Sequence, residues 1–120
     1  MKDFRKLKLW EKARDVTLGF YNLTEKFPRE ELYDLTSQIR RVAVSIPTNI
    51  SEGCVRSSDA DFARFLHIAL GSTSELEYLT LLSSELKYID KSPSADLLEE
   101  VNEVKKMLIS LIKKLKAKSI

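Results

Sequence analysis

Cysteine and histidine each occur once, as Cys54 and His67. A single cysteine excludes an intrachain disulfide and fits a reducing compartment, with the cytoplasm as the expected location. A zinc site needs several clustered nitrogen and sulfur ligands, and this chain cannot supply them. His67 has Arg64 three residues before it and Gly71 four residues after it, so the Glu-x-x-His pair of di-iron bundles is missing. No histidine neighbours Cys54 to activate it, and a small apolar filler at a helix end is the simpler role. Glu75 and Glu77 fall on different faces of a helix and do not form an acid/base pair. Glycine-rich phosphate loops are absent. The expectation is no catalytic residue, no metal, no cofactor and no enzyme activity.

Glycine and proline are scarce, at three each. So little turn material suits a few long elements joined by short loops. No apolar run reaches signal-peptide length or the roughly 20 residues of a membrane span. No segment alternates with period two over a useful length, which argues against a sheet.

What remains is a chain of 120 residues, 43% apolar and 32% charged, enough for one domain with its own core. Four segments carry helical periodicity, at about 8–26, 29–53, 58–89 and 93–117. In the first, Leu9, Ala13, Val16, Phe20, Leu23 and Phe27 recur at alternating steps of four and three. Pro28 follows, and Glu30 and Glu31 suit the positive end of the second helix. Leu32, Leu35, Ile39, Val42, Ile46 and Ile50 form the second stripe. Pro47 lies inside it; it removes the hydrogen bond to the Ala43 carbonyl and predicts a kink. Gly53 is a stop. Ser58, with Asp61 three residues on, resembles a capping box for the third helix. Its core side is expected to carry Phe62, Phe65, Leu66, Ala69, Leu76, Leu79, Leu82, Leu86 and Ile89. Ile68, Leu70, Tyr78 and Leu81 fall off that side, which hints at a subunit interface. The fourth starts near Ser92-Pro93 and repeats Leu97, Val101, Val104, Leu108, Leu111 and Leu115 as heptads. The fold class is all-α: one domain over 1–120, an antiparallel up-down-up-down four-helix bundle.

That topology sorts the charges, although lysine plus arginine number 20 against 18 acids. One end collects Lys2, Arg5, Lys6, Lys8, Lys12, Arg14, Arg56, Arg64, Lys113, Lys114, Lys116 and Lys118, against Asp3, Glu11, Glu52, Asp59 and Asp61. The other collects Glu25, Glu30, Glu31, Asp34, Glu85, Asp90, Asp96, Glu99, Glu100 and Glu103. A basic pole attracts phosphate by counterion release, and in a cyclic oligomer such poles add into a ring. Lysines late in a helix also simply complement its dipole. Lys6, Lys8, Lys12, Arg14, Arg56, Lys113, Lys114 and Lys116 are the candidate nucleic-acid contacts. Few exposed aromatics interleave with them, apart from Phe4 and Trp10.

Beside the apolar stripe of the second helix runs a polar one, Gln38, Arg41, Ser45, Asn49 and Glu52. Counting back from the turn sets Arg40 and Arg41 opposite Leu70 to Glu75, so a pair of Glu75 with Arg41 or Arg40 is expected. The run Ala69, Gly71, Ser72, Thr73, Ser74 lets another backbone come close. A ligand site and a hydrogen-bond network that fixes register are the two readings, and the network is preferred.

Several motifs resemble one family over nearly the whole chain. They are Leu9-Trp10-Glu11-Lys12-Ala13, then Phe27-Pro28 with Glu31-Leu32-Tyr33-Asp34-Leu35-Thr36-Ser37-Gln38-Ile39-Arg40-Arg41. Next come Ala43-Val44-Ser45-Ile46-Pro47-Thr48-Asn49-Ile50-Ser51-Glu52-Gly53, and Phe65-Leu66, Ile68-Ala69-Leu70-Gly71-Ser72 and Glu75-Leu76-Glu77. They resemble the bacterial four-helix bundle proteins encoded in intervening sequences of 23S ribosomal RNA genes, the S23-type proteins. A similar bundle serves as accessory protein of diversity-generating retroelements. The resemblance implies a left-handed bundle assembled as a homopentamer. For the retroelement relatives it implies binding to RNA or DNA and to a nucleic-acid-processing protein, a reverse transcriptase, through a basic surface. The ribosomal label follows gene location. Ser51 where alanine is common, and Cys54 after the glycine, are small departures. A nucleic-acid-associated oligomer is the leading function, and a protein-binding scaffold without nucleic acid the alternative; no membrane partner is expected.

Overall fold

The computed structural model describes residues 3–118. Four helices carry the fold: α1 (Lys8–Thr24), α2 (Leu35–Cys54), α3 (Asp59–Glu85) and α4 (Lys91–Lys118). Short 3-10 turns cover Phe4–Lys6 and Arg29–Glu31, and no strand occurs among the described residues. Each helix packs on two neighbours, α1 on α2 and α4, α3 on α2 and α4, so the four close around one core. Phe20, Ile39, Ile46, Ile50, Leu66, Leu76 and Leu108 fill it, each almost wholly shielded from solvent.

Cross-helix contacts fix the register. Thr17 meets Ala43 while the later Thr24 meets the earlier Arg40, so α1 and α2 run antiparallel. Ser45 meets Ser72, and Gly53 lies against Phe62 and Phe65, which reverses α3 on α2. Lys12 reaches Glu103 and Gly19 sits against Leu97, which sets α4 antiparallel to α1. Lys105 donates to Glu77, whereas Leu115 lies beside Ala63, which does the same for α3 and α4. At about 1.5 Å per residue, the 28 residues of α4 span most of the 48 Å long axis.

Pro47 is accommodated by a neighbour. Helix α2 runs through it without a break. Proline has no N–H for the Ala43 carbonyl, and Ala43 is fully buried. The Thr17 hydroxyl of α1 donates to that carbonyl at 3.0 Å and lies equally close to its own Ala13 carbonyl. The backbone acceptor that the proline orphans is thus satisfied across the α1–α2 seam.

Several details depart from the sequence expectations. Arg29–Glu31 is a 3-10 turn, and α2 begins only at Leu35. Glu31 still serves that helix end from outside it, accepting the Leu35 N–H at 3.4 Å. Leu32 thereby leaves the apolar stripe and is 44% exposed. Helix α3 ends at Glu85, because Lys87 turns left-handed (φ 65°) and the Tyr88 N–H closes back on the Ser83 carbonyl. Such a stop usually falls on glycine, so the lysine concealed it. Leu86, expected in the core, is exposed, and Leu82 and Ile89 are half-buried. In α4 the buried position expected at Leu111 falls at Ile112, a step of four from Leu108 where the heptad has three. Half of the expected capping box is made: the Ser58 hydroxyl accepts the Asp61 N–H at 3.1 Å, while the Asp61 carboxylate accepts from Arg64 instead.

Thr17→Val should destabilise the chain by about 1–3 kcal/mol, because it leaves a buried carbonyl unpaired. In a Pro47→Ala background the N–H at position 47 is restored and most of that loss should vanish. Urea unfolding midpoints of the four chains test this double-mutant cycle; equal losses in both backgrounds would contradict it.

Candidate nucleic-acid interface

The antiparallel register sets the Phe4–Lys6 turn, the junction between α2 and α3, and the last turns of α4 at one end of the bundle. Lys6, Lys8, Arg56, Lys113, Lys114 and Lys116 all lie toward this end, and none makes an ion pair among the described residues. Arg56 is held by an aromatic ring instead. Its guanidinium carbon lies 4.4 Å from the Phe65 ring centroid, with Arg64 at 4.6 Å from the same ring. Arg64 is also held by Asp61 at 3.0 Å. A ring holds a guanidinium without neutralising it, so Arg56 keeps its charge for an external anion. Lys2, also expected here, lies outside the described residues.

The other two candidate contacts have carboxylate neighbours. Lys12 pairs with Glu103 at 2.7 Å, and Arg14 pairs with Asp15 at 3.2 Å while standing over Trp10. Glu103 was expected at the acidic end. It lies instead level with the first turns of α1, with Glu100 beside it in the same cleft. The cause is a length mismatch: α1 has 17 residues and α4 has 28, so α4 runs on past the start of α1. The acidic end proper is built around Glu25, Glu31 and Asp90 at the helix connections. There the Tyr88 hydroxyl donates to Glu31 at 2.8 Å, which holds the phenol above its ordinary range.

The polar stripe of α2 divides in two. Ser45 and Ser72 join α2 to α3 at 2.7 Å, and the Asn49 amide donates to the Ser45 carbonyl at 2.8 Å. Arg40 turns the other way, donating to the Thr24 hydroxyl at 2.9 Å and to the Tyr21 carbonyl, with its guanidinium 4.8 Å from the Tyr21 ring centroid. The expected pair of Glu75 with Arg40 or Arg41 is therefore not made within the chain. Successive helical residues point about 100° apart, so two adjacent arginines cannot both face α3, and here Arg40 faces α1. Arg41 is exposed and borders a shallow groove with Tyr21, Leu32 and Tyr33. Glu52 and Glu75 are exposed and without ion pairs among the described residues, and Gln38 is half-buried. Cys54 is buried at the end of α2, while His67 is exposed beside Ala63 and Lys116. No cluster of three histidine, cysteine, aspartate or glutamate side chains that could hold a metal occurs among the described residues.

One feature had little sequence signal. Phe4 and Trp10 meet edge to face, centroids 4.9 Å apart, and line an open groove of about 290 Å³ with Leu18, Val44 and Pro47. Phe4 precedes any periodic segment, so only the turn that folds it back reveals the pairing.

A family model for the 23S rRNA-intervening sequence protein matches residues 5–110, which takes in α1, α2 and α3 entire and most of α4. The chain belongs to that family. A crystal structure of a protein of unknown function, from the S23 ribosomal protein family of Bacteroides thetaiotaomicron, is similar at 29% identity and a TM-score of 0.79. The alignment covers 88% of this chain and 98% of that one. No curated protein matches. Among the described residues of this family member, no helix is long and apolar enough to cross a membrane.

The Lys12–Glu103 pair makes a local prediction. Lys12 holds the Glu103 carboxyl below its ordinary range, chiefly by their hydrogen bond, and is itself pushed up. A lowered folded value means that this contribution to stability is present above the ordinary carboxylate range. It is lost as pH falls through the folded value. Lys12→Met should raise the Glu103 titration midpoint measured by NMR. An unchanged midpoint would show that the pair does not persist in solution.

Proposed function

We propose that this protein is a non-enzymatic, self-assembling bundle that binds nucleic acid through its basic end. The observation that carries this reading is the state of the cations there: Lys6, Lys8, Arg56, Lys113, Lys114 and Lys116 make no ion pair among the described residues. Surface lysines that serve only to solubilise a helix can sit anywhere along it. Here they gather from three separate chain segments at one end, with Arg56 fixed in place by Phe65. Such a surface reads the phosphate backbone, so RNA and DNA both qualify and sequence selectivity is weak.

Self-association is supported by the outer side of α3, where Ile68, Tyr78 and Leu81 are 44%, 59% and 50% exposed. A second copy covering them would remove an apolar surface that a lone bundle leaves wet. The homopentamer implied by the family resemblance would bring five basic ends together. The same surface also favours the second reading, a scaffold for another protein with no nucleic-acid role.

Two measurements decide. Binding of a labelled RNA or DNA duplex should weaken steeply between 50 and 200 mM salt, by about a thousandfold for six phosphate contacts. Replacing Lys113, Lys114 and Lys116 together by alanine should flatten the logarithmic salt slope by about 1 per lysine. No binding at low salt, or binding indifferent to salt, would favour the scaffold. Light scattering should give a multiple of the 13.8 kDa chain mass, and a clean monomer would refute self-assembly.

A further inference from the structure

The groove between α1 and α2 has a composition that its neighbourhood does not require. Its walls are Phe4, Trp10, Leu18, Val44 and Pro47, and it is mostly apolar and open. Two guanidiniums stand over its aromatic walls, Arg5 at 5.8 Å from the Phe4 centroid and Arg14 at 5.6 Å from the Trp10 centroid. Both arginines have carboxylate partners, Asp3 and Asp15, but these pairs are exposed and made between close sequence neighbours. Exposed pairs of that kind are weak and screened, so a phosphate can take the place of either carboxylate. The hydroxyls of Thr48 and Ser51 edge the groove. They offer polar groups without a fixed donor–acceptor code.

We propose that this groove accepts an unpaired base of a single-stranded nucleic acid, with Arg14 and Arg5 on the flanking phosphates. An apolar aromatic slot lined by cations combines the two elements of sequence-tolerant single-strand binding, a stacking surface and a backbone track. Charge complementarity selects this occupant: a purely apolar partner would leave the Arg14 guanidinium on the groove wall, and Arg5 over Phe4, unused. The proposal rests on the nucleic-acid reading of the basic end and narrows it from any phosphate backbone to a strand with free bases.

Trp10 is the only tryptophan in the chain, so its fluorescence reports on the groove alone. The intact chain is titrated at low salt with an oligouridylate of about twelve nucleotides, an abasic strand of the same length, and a duplex. The base-bearing strand should quench Trp10 and bind on the order of tenfold more tightly than the abasic strand. Leu18→Glu alters a groove wall that is 60% exposed, so the fold should survive it. It should abolish the preference for base over abasic strand. Equal affinity for both strands with unchanged Trp10 emission would overturn this inference. If salt-dependent binding of duplex and abasic strand persisted in that case, the nucleic-acid reading would stand without it. Failure of all three probes to bind would overturn both. A preference that survives in Leu18→Glu would place the bases elsewhere and also overturn it.

Discussion

A proline inside the core helix α2 leaves one buried carbonyl without its helical donor, and a hydroxyl on α1 supplies the replacement. An unpaired carbonyl at that depth costs about 1–3 kcal/mol, a large share of a small domain's stability. The constraint is also positional. Thr17 can reach Ala43 in only one register, and that register decides which residues of α1 face α2. It sets Trp10 beside Pro47 and Leu18 beside Val44, and so forms the groove that Phe4 closes. Arg40 donating to Thr24 and Tyr21 repeats the same register about two turns further along α1.

The charged ends follow from register and unequal helix length together. Because α4 outruns α1, its last turns stand beside the start of α3, where Lys116 shares a pocket with Asp59 without an ion pair, whereas Lys12 falls level with Glu103 and is neutralised. Exposed pairs such as Lys12–Glu103 matter little to stability. They matter to the surface, because they decide which cations remain free. The apolar residues off the core side of α3 are a separate matter: the chain's own packing leaves Ile68, Tyr78 and Leu81 between 44% and 59% exposed.

Much of the architecture was legible from periodicity. The stripe of α1 through Phe20, that of α3 through Leu79 and the Ser58 cap read directly, because burial of one helical face and satisfaction of a free N–H leave marks in the sequence. What could not be read depended on partners distant in sequence. Leu32 matches the α2 stripe in spacing, and only the 3-10 turn before Leu35 turns it outward. Lys87 carries no glycine signal for the stop it makes. Leu111 and Ile112 are adjacent candidates for one buried position, and the choice depends on whether the helix is straight or supercoiled. The pairing of Arg40 with α1 rather than α3 depends on the angular position of one residue. For the candidate site, the basic end was legible as a set of lysines and arginines. Which of them are neutralised was not, and neither was the Phe4–Trp10 contact.

The central claim is that nucleic acid is met at the basic end and the groove beside it, and not at the acidic end. Ultraviolet crosslinking of the assembled protein to a uridine-rich RNA, followed by mass spectrometry of the crosslinked peptides, tests it most directly. Crosslinks should fall within Phe4–Leu18, Val44–Ser51, Arg56–Arg64 and the lysines from Lys113 to Lys116. Crosslinks confined to the acidic end around Glu25, Glu31 and Asp90, or spread evenly over the chain, would contradict it.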